Sequence, residues 1–214
     1  MRMLFSPPSP YQSQSWAGRT VGLLGGSFNP AHEGHRHVSL YALKMLGLDA
    51  VWWMVSPQNP LKSKKDMAPL KKRMESAHAA SLHPRIIVTD IETHLNTRYT
   101  ADTLSALKKL YPHTTFIWLM GTDNLRQIHR WERWQDIFQM VPVCILDRPP
   151  RGDSVRTCPA LERFRPFLLR QNASSRLKMA APPAWIILHI PLNDMSATKI
   201  RGKRNGLKKN GFAL

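Results

Sequence analysis

The chain has little cysteine, little acid and no long apolar run. Two cysteines in 214 residues, Cys144 and Cys158, can build neither a disulfide scaffold nor a four-cysteine zinc site, and they suit a reducing cytoplasm. No apolar stretch approaches the roughly 18–20 residues of a membrane helix, so an integral helical membrane protein is excluded. Neither common glycine fingerprint is present: there is no GxGxxG turn and no GxxxxGK[ST] phosphate loop. No Ser/His/Asp or paired-carboxylate constellation stands out.

The shortage of acid is the largest imbalance. Asp and Glu number 14 against 31 Lys and Arg, a net charge of +17. Such a field attracts phosphates, nucleotides, nucleic acid or an anionic membrane. The charge is patchy: residues 62–73 hold six basic side chains, 151–178 seven and 199–209 six. Lys64, Lys65, Lys71, Lys72 and Arg73 read as a solvated basic face.

With 43% hydrophobic and 21% charged residues the chain is globular, and its length suits one domain or a small pair. Residues 1–19, rich in Ser and Pro, read as a disordered leader with little to enter a core. The leader lacks the apolar stretch of a secretory signal. A domain over 20–204 and a basic tail over 205–214 complete the expected division.

From Thr20 onward, strands and helices alternate. Apolar runs at Val21–Leu24, Ala50–Val55, Arg85–Val88, Thr115–Met120, Val141–Leu146 and Trp185–Ile190 read as strands. Helical patterns cover His35–Leu46, Ala68–Leu82 and Thr100–Leu110, and Ser196 opens a last short helix. Near-continuous apolar strands between helices predict an α/β fold, a doubly wound, Rossmann-like parallel sheet with helices on both faces. In that class the ligand lies beyond the carboxyl ends of the strands, so the segments just after strands carry the chemistry.

The first such segment is Gly25-Gly26-Ser27-Phe28-Asn29-Pro30-Ala31-His32-Glu33-Gly34-His35. Its glycines allow tight backbone and close approach of a ligand. A helix start offers unpaired N–H groups to an anion. His32 and His35, three residues apart, project to one side, where two imidazoles can donate to phosphate oxygens. A zinc site from His32, His35 and His37 is the competing reading, and no nearby cysteine or acidic pair completes its ligand set.

Gly26-Ser27-Phe28-Asn29-Pro30 followed by His32-Glu33-Gly34-His35 resembles the bacterial nicotinate-nucleotide adenylyltransferases of the HxGH nucleotidyltransferase superfamily. Many relatives carry Asp where this chain has Asn29, an exchange that keeps hydrogen bonding and loses a charge. The distal Ser196-Ala197-Thr198-Lys199-Ile200-Arg201 is similar to the family's second motif, about 160 residues after the first. Ser196 suits an N-cap, and Arg201 can meet two phosphate oxygens at once.

The middle of the chain bears on the acceptor. Gly121-Thr122-Asp123-Asn124-Leu125, with Trp131 beyond it, resembles the family's G-x-D-N-L…W segment. Tyr99-Thr100-Ala101-Asp102-Thr103-Leu104 resembles its Y-[ST]-x-D-T-L string. The resemblance implies an ATP site at Gly25, Gly26, Ser27, Phe28, Gly34, Gly121, Asp123, Ser196 and Thr198, with His32, His35 and Arg201 catalytic. It implies a nicotinate mononucleotide site at Asn29, Lys62, Tyr99, Thr100 and Trp131. Trp131 would stack on the pyridine ring, and backbone N–H groups at Thr100 would meet its carboxylate. Trp134 reads as packing, and Asp102 and Thr103 as helix caps.

The reaction so implied is attack by the mononucleotide phosphate on the α-phosphorus of ATP, with Mg²⁺ held mainly through ATP oxygens and no dedicated protein metal site. The enzyme would be cytoplasmic and without membrane contact, and a homo-oligomer stays open. A sister transferase with another acceptor or a cytidylyl donor would keep both phosphate motifs. A nucleic-acid-binding protein fits the charge, but the tail lacks interleaved aromatics for base stacking.

Overall fold

A computed structural model describes residues 8–9, 13–57, 67–147 and 158–191. Its centre is a seven-stranded sheet in which every pairing is parallel. The strands are β1 (Thr20–Gly26), β2 (Ala50–Val55), β3 (Ile86–Thr89), β4 (Thr115–Gly121), β5 (Val143–Asp147), β6 (Leu168–Leu169) and β7 (Trp185–His189). Their order across the sheet is β3-β2-β1-β4-β5-β7-β6. The chain winds outward from β1 through β2 to β3, then returns to the other side of β1 with β4. The switch point of the doubly wound fold therefore lies between β1 and β4.

The helices are α1 (Glu33–Leu46), α2 (Leu70–Ser81), α3 (Ile91–His94), α4 (Thr100–Leu110), α5 (Thr122–Gln127), α6 (Trp134–Met140) and α7 (Pro159–Phe164). Two apolar clusters, one on each face, seal the sheet. One joins Leu43, Leu46 and Ala77 from α1 and α2 to Val51, Trp53 and Ile117; the other joins Leu104, Ile137 and Phe164 to Trp52, Trp118 and Trp185. All six residues of β2 are buried, as a strand covered on both faces must be.

The predicted boundaries differ from the observed ones by one or two residues. α1 begins at Glu33 rather than His35, because His32 caps it. The two-residue β6 and the short α3, α5, α6 and α7 have too few residues to show a period in sequence.

Two corrections concern polar and terminal segments. The leader reading does not hold for residues 13–19. Ser13–Trp16 forms a 3-10 turn, and Trp16 is buried edge-on against Trp52, ring centroids 4.9 Å apart. The turn is tied down by Gly18 N–H donating to the His113 carbonyl at 2.7 Å and the Thr114 hydroxyl to that of Trp16 at 2.9 Å. Tyr111 donates to the Ser9 carbonyl at 2.8 Å, and burial pushes its phenol up to about 12. Arg73, read as part of a solvated face, is 2% exposed, whereas its neighbours Lys71 and Lys72 are exposed. Among the described residues no helix is long and apolar enough to cross a membrane.

Candidate active site

The loop from Gly26 to His32 leaves β1 at the switch point and enters α1. Here the two histidines cap the helix reciprocally. His32, in extended backbone geometry, accepts the Gly34 N–H at Nδ1 (3.1 Å), and His35 Nδ1 accepts the His32 N–H (3.2 Å). This is a capping box built from imidazoles in place of Ser and Glu. Only a lone pair can accept an N–H, so both rings carry their proton on Nε2 when neutral. The rings lie 4.0 Å apart, centroid to centroid, so the two Nε2–H donors belong to one site. Such a pair matches phosphate oxygens and is poorly disposed to ligate a metal.

A ring contact and a hydrogen bond, each backed by Trp53, hold His35. Its ring packs on the buried Phe28 at 4.7 Å, and Phe28 stacks on Trp53 at 5.2 Å. The Trp53 indole donates to Ser39 Oγ, and Ser39 donates to the His35 carbonyl, each at 2.8 Å. Phe28 adopts φ 45°, a left-handed conformation that costs a bulky residue energy and is held by this packing. The Phe28 ring thus serves the site by placing His35.

The glycines divide. At Gly25 an added Cβ would sit 2.6 Å from the Trp118 ring, so core packing already demands glycine there. At Gly26 the nearest atom would be Phe28 at 3.5 Å, an ordinary contact, which leaves close approach of a ligand as the reason the sequence suggests.

Arg73 is a site residue that the sequence reading missed. From α2 its guanidinium reaches four backbone carbonyls: Ala68 (Nε, 2.9 Å), Ser27 (2.8 Å), Ser56 (2.6 Å) and Pro57 (2.9 Å). One buried cation thereby fastens the loop after β1 to the loop after β2 and to the entry of α2. Burial lowers its pKa. Asn29 adds a second tie, its Oδ1 accepting the Ala68 N–H at 3.3 Å. Nothing in the sequence separates Arg73 from Lys71 and Lys72 except its helical phase, which it shares with the buried Ala77.

Tyr99 is the N-cap of α4 through its backbone, with no side-chain cap bond. Asp102 and Thr103 therefore do not cap the helix as expected. Asp102 pairs with Arg133, which joins the first turn of α4 to the loop bearing Trp131. Trp131 is half-buried, edge-on to Trp118 at 6.3 Å. Trp134 packs against Phe138 and Phe164, as expected. Gly121 ends β4 at the switch point, and Asp123 is exposed in the first turn of α5.

Thr103 is buried and bonded to Glu92, a second residue that the sequence reading missed. Burial pushes the Glu92 carboxyl up to about 7, against hydrogen bonds from Thr103 and Ser56 that act the other way.

Lys62, Ser196, Thr198 and Arg201 lie outside the described residues, as do Lys64, Lys65 and the 205–214 tail. His37 Nε2 donates to the Pro191 carbonyl at 2.9 Å, which occupies a ring that the zinc reading required. His189 Nδ1 meets Asp147 Oδ2 at 2.8 Å across the ends of β5 and β7. Among the described residues no three His, Cys, Asp or Glu side chains could hold a metal together.

Residues 23–203 match the cytidylyltransferase-like family model. A probable nicotinate-nucleotide adenylyltransferase of Ruegeria pomeroyi is 51% identical over 184 residues, 86% of each chain. Its counterpart in Cereibacter sphaeroides is 50% identical over 85% of this chain and 95% of its own. This chain belongs to the nicotinate-nucleotide adenylyltransferases. Among solved structures, the Plasmodium falciparum nicotinic acid mononucleotide adenylyltransferase complexed with NaAD is 19% identical, with a TM-score of 0.65 over 89% of each chain. The same enzyme complexed with APC gives 0.62 at 17% identity, over 86% of this chain and 83% of its own. At such identity the likeness concerns the fold, and it is the adenylyltransferase fold that the strand order describes.

Proposed function

We propose that this nicotinate-nucleotide adenylyltransferase joins ATP to nicotinate mononucleotide, giving nicotinate adenine dinucleotide and pyrophosphate in NAD biosynthesis. The observation that carries the mechanism is the reciprocal imidazole cap, which aims two Nε2–H donors from the start of α1. A phosphate oxygen of the mononucleotide attacks the α-phosphorus of ATP, the bond to the bridging oxygen breaks, and pyrophosphate leaves. The nucleophile is already ionised at neutral pH, so no general base is required. His32 and His35 meet charge that grows on the transferring and leaving phosphates. Gly26, Ser27 and Gly34 line that approach. Ser196, Thr198 and Arg201 hold the β- and γ-phosphates, a role supported by the resemblance of their string to the family's second motif.

On the acceptor side, Trp131 stacks on the pyridine ring, and the first N–H groups of α4, at Thr100 and beyond, receive its carboxylate. Asn29, Lys62 and Tyr99 complete that subsite, and Gly121 and Asp123 the ribose side of ATP. Mg²⁺ carried by ATP, with no protein carboxylate cage to hold it, would supply neutralisation of the charge on the departing pyrophosphate. The histidine lone pairs at Nδ1 are engaged by backbone, which fits a metal carried by the nucleotide. We place the reaction in the cytoplasm.

The test is pyrophosphate release from ATP and Mg²⁺ with nicotinate mononucleotide and nicotinamide mononucleotide offered separately. Strong preference for the acid is expected. Turnover of neither would remove the acceptor assignment.

A further inference from the structure

The N-terminus of α4 and the loop bearing Trp131 are tied by one ion pair, Asp102 with Arg133, both side chains about half-exposed. Tyr99 is the N-cap of α4, so Thr100, Ala101 and Asp102 are its first three residues, and no side chain caps that end. The earliest N–H with an acceptor inside the helix is that of Thr103, on the Tyr99 carbonyl at 3.0 Å. The three N–H groups ahead of it have no acceptor within the helix, and one of them belongs to Asp102 itself. An acid at this third position ordinarily puts its charge on the helix end. That same charge would disfavour a carboxylate arriving there. Asp102 makes no cap bond, and the Arg133 guanidinium holds its carboxylate instead.

Arg133 reaches Asp102 from an uncommon backbone position. It is the left-handed residue of the turn from Trp131 to Trp134, at φ 48° and ψ 42°, and the Trp134 N–H closes that turn on the Trp131 carbonyl at 3.2 Å. Asparagine or glycine adopts this conformation at lower cost. The arginine side chain meets two acids from here: Asp102 and, at 3.8 Å, Asp136 in the first turn of α6.

We propose that Arg133 is a specificity-determining positioning residue: by neutralising Asp102 it clears the N-terminus of α4 for an anionic acceptor, and so favours an acid over an amide. The inference rests on the reading that the acceptor carboxylate meets that helix end. Without Arg133, a bare carboxylate stands on the residue that supplies one of the receiving N–H groups, and it repels the acid. An uncharged carboxamide is nearly indifferent to it. A purely structural tie between loop and helix would behave differently, because breaking it from either side would do the same harm. An electrostatic role gives the two partners opposite signs.

The experiment measures kcat/KM for nicotinate and nicotinamide mononucleotides in the full chain with ATP and Mg²⁺, near neutral pH and at low ionic strength, where exposed charges are least screened. The acid-to-amide ratio cancels any loss that both acceptors share. Arg133→Asn should lower the ratio about threefold or more, the scale of one exposed charge a few ångströms away in a water-like dielectric. Asp102→Asn should raise it, and the double variant should return most of the way to the wild-type value.

An unchanged ratio in Arg133→Asn overturns the inference. So does a ratio lowered by both single variants, which marks a structural tie, or a double variant as poor as Arg133→Asn, which means that the arginine acts on the acceptor without Asp102. Asparagine suits the left-handed turn, and Arg133→Gly, which suits it equally, covers the case of a variant that does not fold. A wild type with no preference for the acid instead breaks the reading of the α4 carboxylate site.

Discussion

His35 Nδ1 accepts the backbone N–H of His32 at 3.2 Å, and the residue so held returns the favour to the next turn, at the Gly34 N–H. Each imidazole is thus a structural cap on one edge, and in the proposed reaction a phosphate donor on the other. His35→Ala should lower kcat by about a hundredfold or more, as loss of an oriented donor to developing charge does. It should also cost roughly 1 kcal/mol of stability, the value of a helix cap. Steady-state kinetics and thermal unfolding on the same preparation check both. Unchanged turnover in a folded variant would remove His35 from the chemistry.

Arg73→Lys preserves charge but cannot reach four carbonyls spread around a planar fork. We expect a loss of about 2–4 kcal/mol in urea unfolding, the cost of leaving buried polar groups unpaired. KM should rise for both nucleotides, because the fastened loops serve both sides. A stability equal to wild type would mean that the carbonyls find other donors.

Glu92 makes stability depend on pH. Its carboxyl titrates near 4.5 when exposed and near 7 in the fold, so between those values the folded state holds the extra proton. Stability from this group is fully present below about 4.5, falls as pH rises to 7 and is level beyond. The loss should be roughly 3 kcal/mol. Denaturation at pH 5 and pH 8 measures it as the difference between wild type and Glu92→Gln, which cancels the other titrating groups.

Trp131→Ala should raise KM for the pyridine nucleotide by about tenfold, on the scale of a lost aromatic stack, and leave that for ATP nearly unchanged. Equal increases in both would contradict stacking on the pyridine.

Trp16→Ala should cost about 3–5 kcal/mol, the range for emptying a large buried aromatic site. A lowered Tm with unchanged KM values is the expected signature, and removal of residues 1–18 should destabilise at least as much.

The sheet and the turn before α1 were legible because each leaves a local mark. Val51–Val55 is apolar without a break, since both faces are covered, and the glycines before His32 stand where a strand must turn into a helix. What escaped notice was set by distant partners. Arg73 looks like Lys72 until the carbonyls of Ser27, Ser56 and Pro57 surround it. Glu92 looks like any acid at a helix start until Ser56 and Thr103 close over it. Trp16 lies in a stretch whose Ser and Pro content signals disorder, and only Trp52, 36 positions later, gives it a place to pack.

The position of β1 between β2 and β4 has a consequence for synthesis. Thr20 lies opposite Thr115, so the strand's second edge stays open until nearly a hundred further residues have left the ribosome. Such distant pairing slows closure and leaves a nascent chain with an exposed apolar edge. A translation product that stops short of Thr115 would hold its histidine turn on half a sheet, and it should be captured by chaperones or aggregate rather than persist as a partial enzyme.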